Sequence, residues 1–180
     1  MSRPPRARES VLDAFEATLI SSGGRAATMD ATARAAGVSK GGLLYHFASK
    51  DALEAGLLER LAALVDEDLE RIAAAPEGAI GYFLRTSVMD DDPLDRVIIA
   101  VSRLAQGGSS AAVAALRDMR HRWQDALRPH TRDAAALDLV MLVSDGLYFN
   151  NALEGGVLTD AVPEGPALDR LVALVESAAR

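Results

Sequence analysis

The sequence predicts an all-α protein of about nine helices: a small head, a long fourth helix and a larger helical body. Apolar residues recur at helical spacing in block after block, and no stretch alternates apolar and polar residues as a half-buried strand does. Most blocks are also bounded by a capping residue, a proline or a glycine pair. With 180 residues, 49% of them hydrophobic, the chain is long enough to bury a head and a body, divided at residues 1–50 and 51–180.

Val11, Leu12, Phe15, Leu19 and Ile20 mark the buried face of a first helix over residues 8–22, and Gly23-Gly24 ends it. Thr28 caps a short second helix that ends at Ala36, and Gly37 can take the positive φ of a helix C-terminus. Ser39 caps a third helix over 40–47, and Ser49 caps the fourth. The fourth runs to about residue 75 with Leu53, Leu57, Leu58, Leu61, Leu64 and Val65 as its apolar stripe, and Pro76 closes it.

In the body, residues 76–89 form one block carrying Tyr82 and Phe83. Asp92-Pro93 is an N-cap followed by proline at the first helical position, opening a helix with Leu94, Val97, Ile98 and Val101 that ends at Gly107-Gly108. A further helix covers 110–127. Thr131 or Asp133 opens another through residue 153, ended by Gly155-Gly156, and Gly165-Pro166 precede a last helix to about residue 178. No internal repeat or flexible interdomain linker is visible.

Net charge is −7, which by itself argues against a polyanionic partner, but the distribution is uneven. The first fifty residues hold seven basic against four acidic side chains, a balance of +3; the rest hold twelve against twenty-two, a balance of −10. A basic head on an acidic body suits phosphate contact at one end only. Cysteine is absent, which excludes disulfides and thiolate metal sites. The N-terminal residues lack the apolar stretch of a signal peptide and no run of about 18 apolar residues suggests a membrane span, so a soluble cytoplasmic protein is expected.

The chain has only two lysines, Lys40 and Lys50, and both fall in the segment from Gly37 to Lys50, while arginine supplies every other basic side chain. A compact, capped helix carrying Lys40, Tyr45 and His46 has the shape that fits a DNA major groove. Ala33, Ala36, Gly37-Val38-Ser39, Gly41, Leu43, His46-Phe47 and Ser49-Lys50 stand in an ordered combination over about residues 8–58. In this the chain resembles the TetR family of bacterial transcriptional regulators. The family pattern has a tyrosine where this chain has Leu44, with Tyr45 one place later, and an aliphatic residue where it has Thr32.

Within that motif, Lys40 can donate to guanine O6/N7 or to a phosphate, and Lys50 is placed for backbone phosphate. Gly41-Gly42 cost about 1 kcal/mol each against alanine in a helix, which makes sense where side chains would hold the helix away from DNA; the other reading is a frayed turn that tolerates glycine. The resemblance gives His46 a phosphate contact and Tyr45 a neighbouring backbone contact. Thr28 and Ser39 are first of all caps whose hydroxyls and amides can also face phosphate, and Arg25 is a further phosphate candidate. Arg3, Arg6 and Arg8 form either a disordered tail or an arm entering the minor groove.

No convergent nucleophile, base or metal set is visible, so an enzyme is not expected, and no cofactor. His121, Asp125 and His130 are crowded by Arg120, Arg122 and Arg128 and lack the spacing of a metal-binding pair. Asp90-Asp91-Asp92 lacks the glycine and spaced acids of a calcium loop. What the resemblance implies instead is ligand binding by the body. The residues that fit are aromatic or polar ones in aliphatic helices: Tyr82, Phe83, Trp123, Tyr148 and Phe149, with Arg103, Asp145, Asn150 and Asn151. Core packing explains the rings almost as well. Asp145 is the sharpest case, because a carboxylate there must reach solvent, a partner such as Arg103, or a ligand.

Residues 137–149 are apolar around nearly the whole helix, and the final helix carries another wide stripe, so more than one face needs covering. The resemblance implies a four-helix interface between two subunits, with Leu137, Met141, Leu168, Leu171, Val172 and Val175 as candidate contacts. The expected function is a homodimeric regulator, a repressor released from a palindromic double-stranded DNA operator by a small-molecule inducer, with no membrane partner. The alternatives are an activator, or a helical protein-interaction regulator without a small-molecule ligand.

Overall fold

The structure is a computed structural model that describes residues 4–88, 92–154 and 162–180, with side chains except at 4–6 and 152–154. Arg3, Met89, Asp90, Asp91 and Gly155-Gly156 lie outside the described residues, as do the side chains of Arg6 and Leu153. Nine α-helices and no strand occur among the described residues: α1 Pro4–Ser22, α2 Met29–Ala35, α3 Lys40–His46, α4 Lys50–Ala74, α5 Ala79–Thr86, α6 Pro93–Gln106, α7 Ser110–Leu127, α8 Ala134–Glu154 and α9 Gly165–Ala179.

Most boundaries fall within a residue or two of the sequence reading, because caps are local. Asp133 opens α8, its Oδ1 accepting from the Ala136 amide at 2.8 Å. Three differences stand out. Helix α1 starts at Pro4, four residues earlier than expected, so Arg8 is helical, stacking over the Phe47 ring at 5.1 Å, and is neither a disordered tail nor a minor-groove arm. The block expected from residue 76 starts as α5 only at Ala79, because the chain turns at Gly78 with φ +94°. A 3₁₀ turn, Arg128–His130, follows α7 around Pro129.

The chain packs as two compact units, and α4 and α7 each contribute to both. One unit is residues 1–65 with 93–119; the other is residues 66–92 with 120–180. In the first, Val11, Leu12, Phe15 and Leu19 of α1 are buried with Leu43, Phe47, Leu53, Leu57, Leu61, Val97 and Val101. Gly56 marks the tightest approach: a methyl group there would lie 2.9 Å from Phe47 Cε1 and 3.2 Å from Leu12 Cδ2. Glu16 of α1 is buried but compensated, accepting from Arg60 Nη1 and from Arg96 Nε, each at 3.1 Å. Arg60 also reaches Glu9 at 2.8 Å and Asp13 at 2.9 Å, and its hydrogen bond holds the Glu9 carboxyl below the usual range. These contacts tie the acidic face of α1 to α4 and α6.

In the second unit, α5, α8 and α9 pack together, burying Ile80, Phe83, Leu84, Val140, Met141, Leu147, Val172 and Val175. Ser87 and Ser144 hydroxyls meet at 2.8 Å inside it, each satisfied where an apolar environment would penalise a lone hydroxyl.

Candidate nucleic-acid interface

Three side-chain caps shape the head. Thr28 Oγ1 accepts from the Ala31 amide at 3.2 Å, Ser39 Oγ from Gly42 at 3.1 Å and Ser49 Oγ from Ala52 at 3.1 Å. Between α2 and α3 the backbone turns at Gly37 with φ +68°, a left-handed conformation that glycine adopts without strain, and the Val38 amide donates back to Ala33 O at 3.0 Å.

Leu43 is buried completely, with Phe47 just past the helix end nearly so, and these two anchor α3 by one side. The opposite side is open: Lys40, Gly41, Leu44 and Tyr45 are exposed, Tyr45 at 81%. A side chain at Gly41 would meet no heavy atom closer than Ser39 Oγ at 4.0 Å, so its absence keeps the outer face low rather than relieving internal crowding. Gly42 sits tighter, with Ser39 Oγ 3.3 Å from a would-be Cβ, and belongs to the cap. His46 is half-buried and meets the Tyr45 ring edge-on, centroids 5.1 Å apart. Thr32, which replaces an aliphatic residue, is fully buried with no hydrogen-bond partner for its hydroxyl.

The predicted cations are partly engaged already. Lys40 Nζ lies 2.9 Å from Asp30 Oδ1 in the first turn of α2, and both side chains are well exposed. Lys50 Nζ donates to the Gly24 carbonyl at 2.9 Å, fastening the α1–α2 turn to the start of α4 and leaving two ammonium hydrogens for other acceptors. Arg25 is exposed in that turn.

The residues expected at a ligand site do not come together as one set. Asp145 pairs with Arg120, whose Nη1 lies 2.6 and 2.7 Å from its two oxygens, and not with Arg103, the partner anticipated. Arg103 belongs to the unit containing the head, at an open recess beside Arg25 and Lys50. Tyr82, Phe83 and Trp123 do gather in the other unit, around a residue that sequence reasoning missed. Asp68 is buried, accepting from Trp123 Nε1 at 2.9 Å and from the Tyr82 hydroxyl at 3.4 Å. Burial raises its carboxyl above the usual range, against the lowering effect of those two bonds, and burial with the neighbouring carboxylate raises Tyr82. Phe83 meets Trp123 edge-on at 5.4 Å. A signal for Asp68 was available: it occupies the α4 stripe position between Val65 and Ile72. Tyr148 and Asn151 are half-buried on α8.

Most of the candidate dimer contacts are engaged inside the chain itself. Leu137, Met141, Val172 and Val175 are buried within the chain, and Leu168 and Leu171 are half-buried. Because α8 and α9 pack on each other and on α5, the four buried side chains face the chain's own core. The large apolar side chains left exposed on these two helices are others: Leu139, Leu142 at 64% and Phe149 at 65% on α8, and Leu174 at 68% on α9.

A capped helix pair, anchored by a few buried side chains and turning the outer face of its second member to solvent, defines a protein of the helix-turn-helix class. Residues 11–55 match the model of the bacterial regulatory proteins of the tetR family, and residues 77–176 match that of the tetracyclin repressor-like C-terminal domain. The chain belongs to this family and is a DNA-binding transcriptional regulator.

Solved structures repeat the fold. A TetR-family regulator from Rhodococcus sp. superposes with a TM-score of 0.62 at 15% identity, covering 97% of this chain and 98% of its own. A transcriptional regulator from Rhodococcus sp. Rha1 gives 0.63 at 20% identity over 96% and 95%. Salmonella enterica GusR gives 0.61 at 18% over 99% and 98%. No curated protein sequence gives a significant match. Among the described residues no helix is long and apolar enough to cross a membrane.

Proposed function

We propose that the protein is a homodimeric repressor that leaves a palindromic operator when a small molecule binds its body. Residues 1–50 act as the DNA-binding head and 51–180 as the sensing and dimerising body. The observation that carries this reading is the outer face of α3, where Lys40, Gly41, Leu44 and Tyr45 are exposed on a helix anchored from behind by Leu43. Lys40 and Tyr45 supply donors for base edges and phosphates; Arg25, His46, Lys50 and the Thr28 and Ser39 caps supply backbone contacts at the flanks.

Two such heads, held about 34 Å apart by a dimer, would enter successive major grooves. The exposure of Leu142 and Phe149 on α8 and of Leu174 on α9 supports the dimer, since large exposed apolar side chains on two packed helices favour burial against a second copy. An inducer acts by preferring a body conformation whose heads no longer match the operator spacing.

The test is a fluorescence-anisotropy titration with DNA upstream of the protein's own gene, repeated with a panel of metabolites. Saturable binding that Lys40→Ala weakens and one metabolite reverses is the expected result. Binding that no metabolite weakens would instead favour an interaction module without an inducer.

A further inference from the structure

One concavity in the unit that contains the head is assigned no ligand by the proposed function. It is an open recess of about 930 Å³, within the roughly 300–1,000 Å³ typical of small-molecule sites. Three cations line it, each from a different element: Arg25 from the α1–α2 turn, Lys50 from the first residue of α4 and Arg103 from the last turn of α6. Arg103 is 53 positions from Lys50 in the chain, so folding and not local sequence brings them to one place.

The opposite chemistry is present as well. Asp51 and Glu54 line the recess from one side of α4, and Glu54 Oε2 already accepts from the Ser109 hydroxyl at 3.4 Å. Leu58 and Leu104 contribute apolar surface. Three cations against two carboxylates leave one excess positive charge.

We propose that this recess binds a small anionic molecule bearing hydroxyl groups, its anionic end between Arg25, Lys50 and Arg103 and its hydroxyls donating to Asp51 and Glu54. Guanidinium and ammonium groups make the stronger, charge-assisted bonds to phosphate or carboxylate, while the acids exclude a ligand that is negative throughout. The recess does not depend on the proposed repressor function; its consequence does. Arg25 and Lys50 are also the phosphate contacts of that reading, so a bound anion would withdraw them from DNA and weaken operator binding from the head's own side.

The experiment is calorimetric titration of the full chain, at fixed ionic strength, with ribose 5-phosphate, gluconate and inorganic phosphate, and with ribose as an uncharged control. At least one of the two hydroxylated anions is expected to bind saturably and more tightly than inorganic phosphate, and ribose not at all. Arg103→Glu should weaken that binding about tenfold or more, with Ser110→Trp at the recess wall giving the same loss should the charge reversal disturb folding. Heats no different from those of an equivalent chloride solution for all probes, or unaltered affinity in both variants, would overturn the proposal. So would an Arg103→Glu protein that binds the probes normally but holds DNA with a shallower salt dependence, since Arg103 would then be a DNA-backbone contact. Probe binding lost in the variants, in a protein that binds no operator, would uphold the recess and defeat the repressor reading.

Discussion

Helices α3 and α8 reward sequence reading very differently. On α3, of the residues picked out for an external partner, Lys40, Gly41 and Tyr45 are exposed and Gly42 and His46 half-buried, while Leu43 is buried beneath them. On α8 the residues picked out for a partner, Leu137 and Met141, are the buried ones, and the open face carries Leu142 and Phe149. A seven-residue helix whose apolar side chains are two adjacent leucines can bury only one narrow face. A 21-residue helix that is apolar all round has several, and hydrophobicity does not choose among them.

The largest expected effect tests the two faces of α8 directly. Met141→Glu places a charge in the core and should cost about 4 kcal/mol or more, leaving little folded protein by circular dichroism. Leu142→Glu, one position on, should leave the melting temperature nearly unchanged but convert dimer to monomer in light scattering, with loss of operator affinity. If Leu142→Glu unfolds the chain or leaves the dimer intact, the assignment of faces is wrong.

Next comes the packing behind α3. Gly56→Ala should destabilise by about 2 kcal/mol, because the new methyl presses on the buried Phe47 ring and Leu12, outweighing alanine's better helix propensity of about 1 kcal/mol. Thermal melts read this, and an unchanged or raised midpoint would show that α1 and α4 are loosely packed there.

On the outer face, Lys40→Ala should weaken operator binding about tenfold without altering stability. Lys50→Ala should weaken binding to any DNA sequence and reduce the salt slope by about 1. Equal losses on specific and random DNA for Lys40→Ala would make it another phosphate contact.

Thr32→Val replaces a buried hydroxyl that lacks a partner with a methyl of the same shape. It should stabilise the chain by about 1 kcal/mol in urea titrations. A loss of stability would mean that the hydroxyl is satisfied in solution.

The smallest effect concerns Asp68. Its carboxyl holds a proton more readily folded than unfolded, so between those two values the native state binds more protons and stability falls as pH rises. Fluorescence of Trp123, the chain's single tryptophan and its hydrogen-bond partner, follows unfolding here. Asp68→Asn can keep an acceptor for Trp123 and should remove this part of the decline; an unaltered pH profile would exclude Asp68 as its source.

Caps, helix extents and the outer face of α3 were legible because each rests on residues a few positions apart. Thr28, Ser39 and Ser49 cap the helices they were assigned, and Gly37 turns where a positive φ is needed. The basic head was legible for a different reason, since charge is additive along a chain and needs no geometry to count. Long-range choices were not legible. Asp145 took Arg120 and not Arg103, Asp68 gathered Trp123 and Tyr82, and α6 joined the head's unit, bringing Arg103 to Arg25 and Lys50. Each of these depends on how helices distant in sequence lie against one another, which the periodicity of any one helix does not specify. Sequence periodicity fixes how much of a helix must be covered, and only contact between helices fixes what covers it.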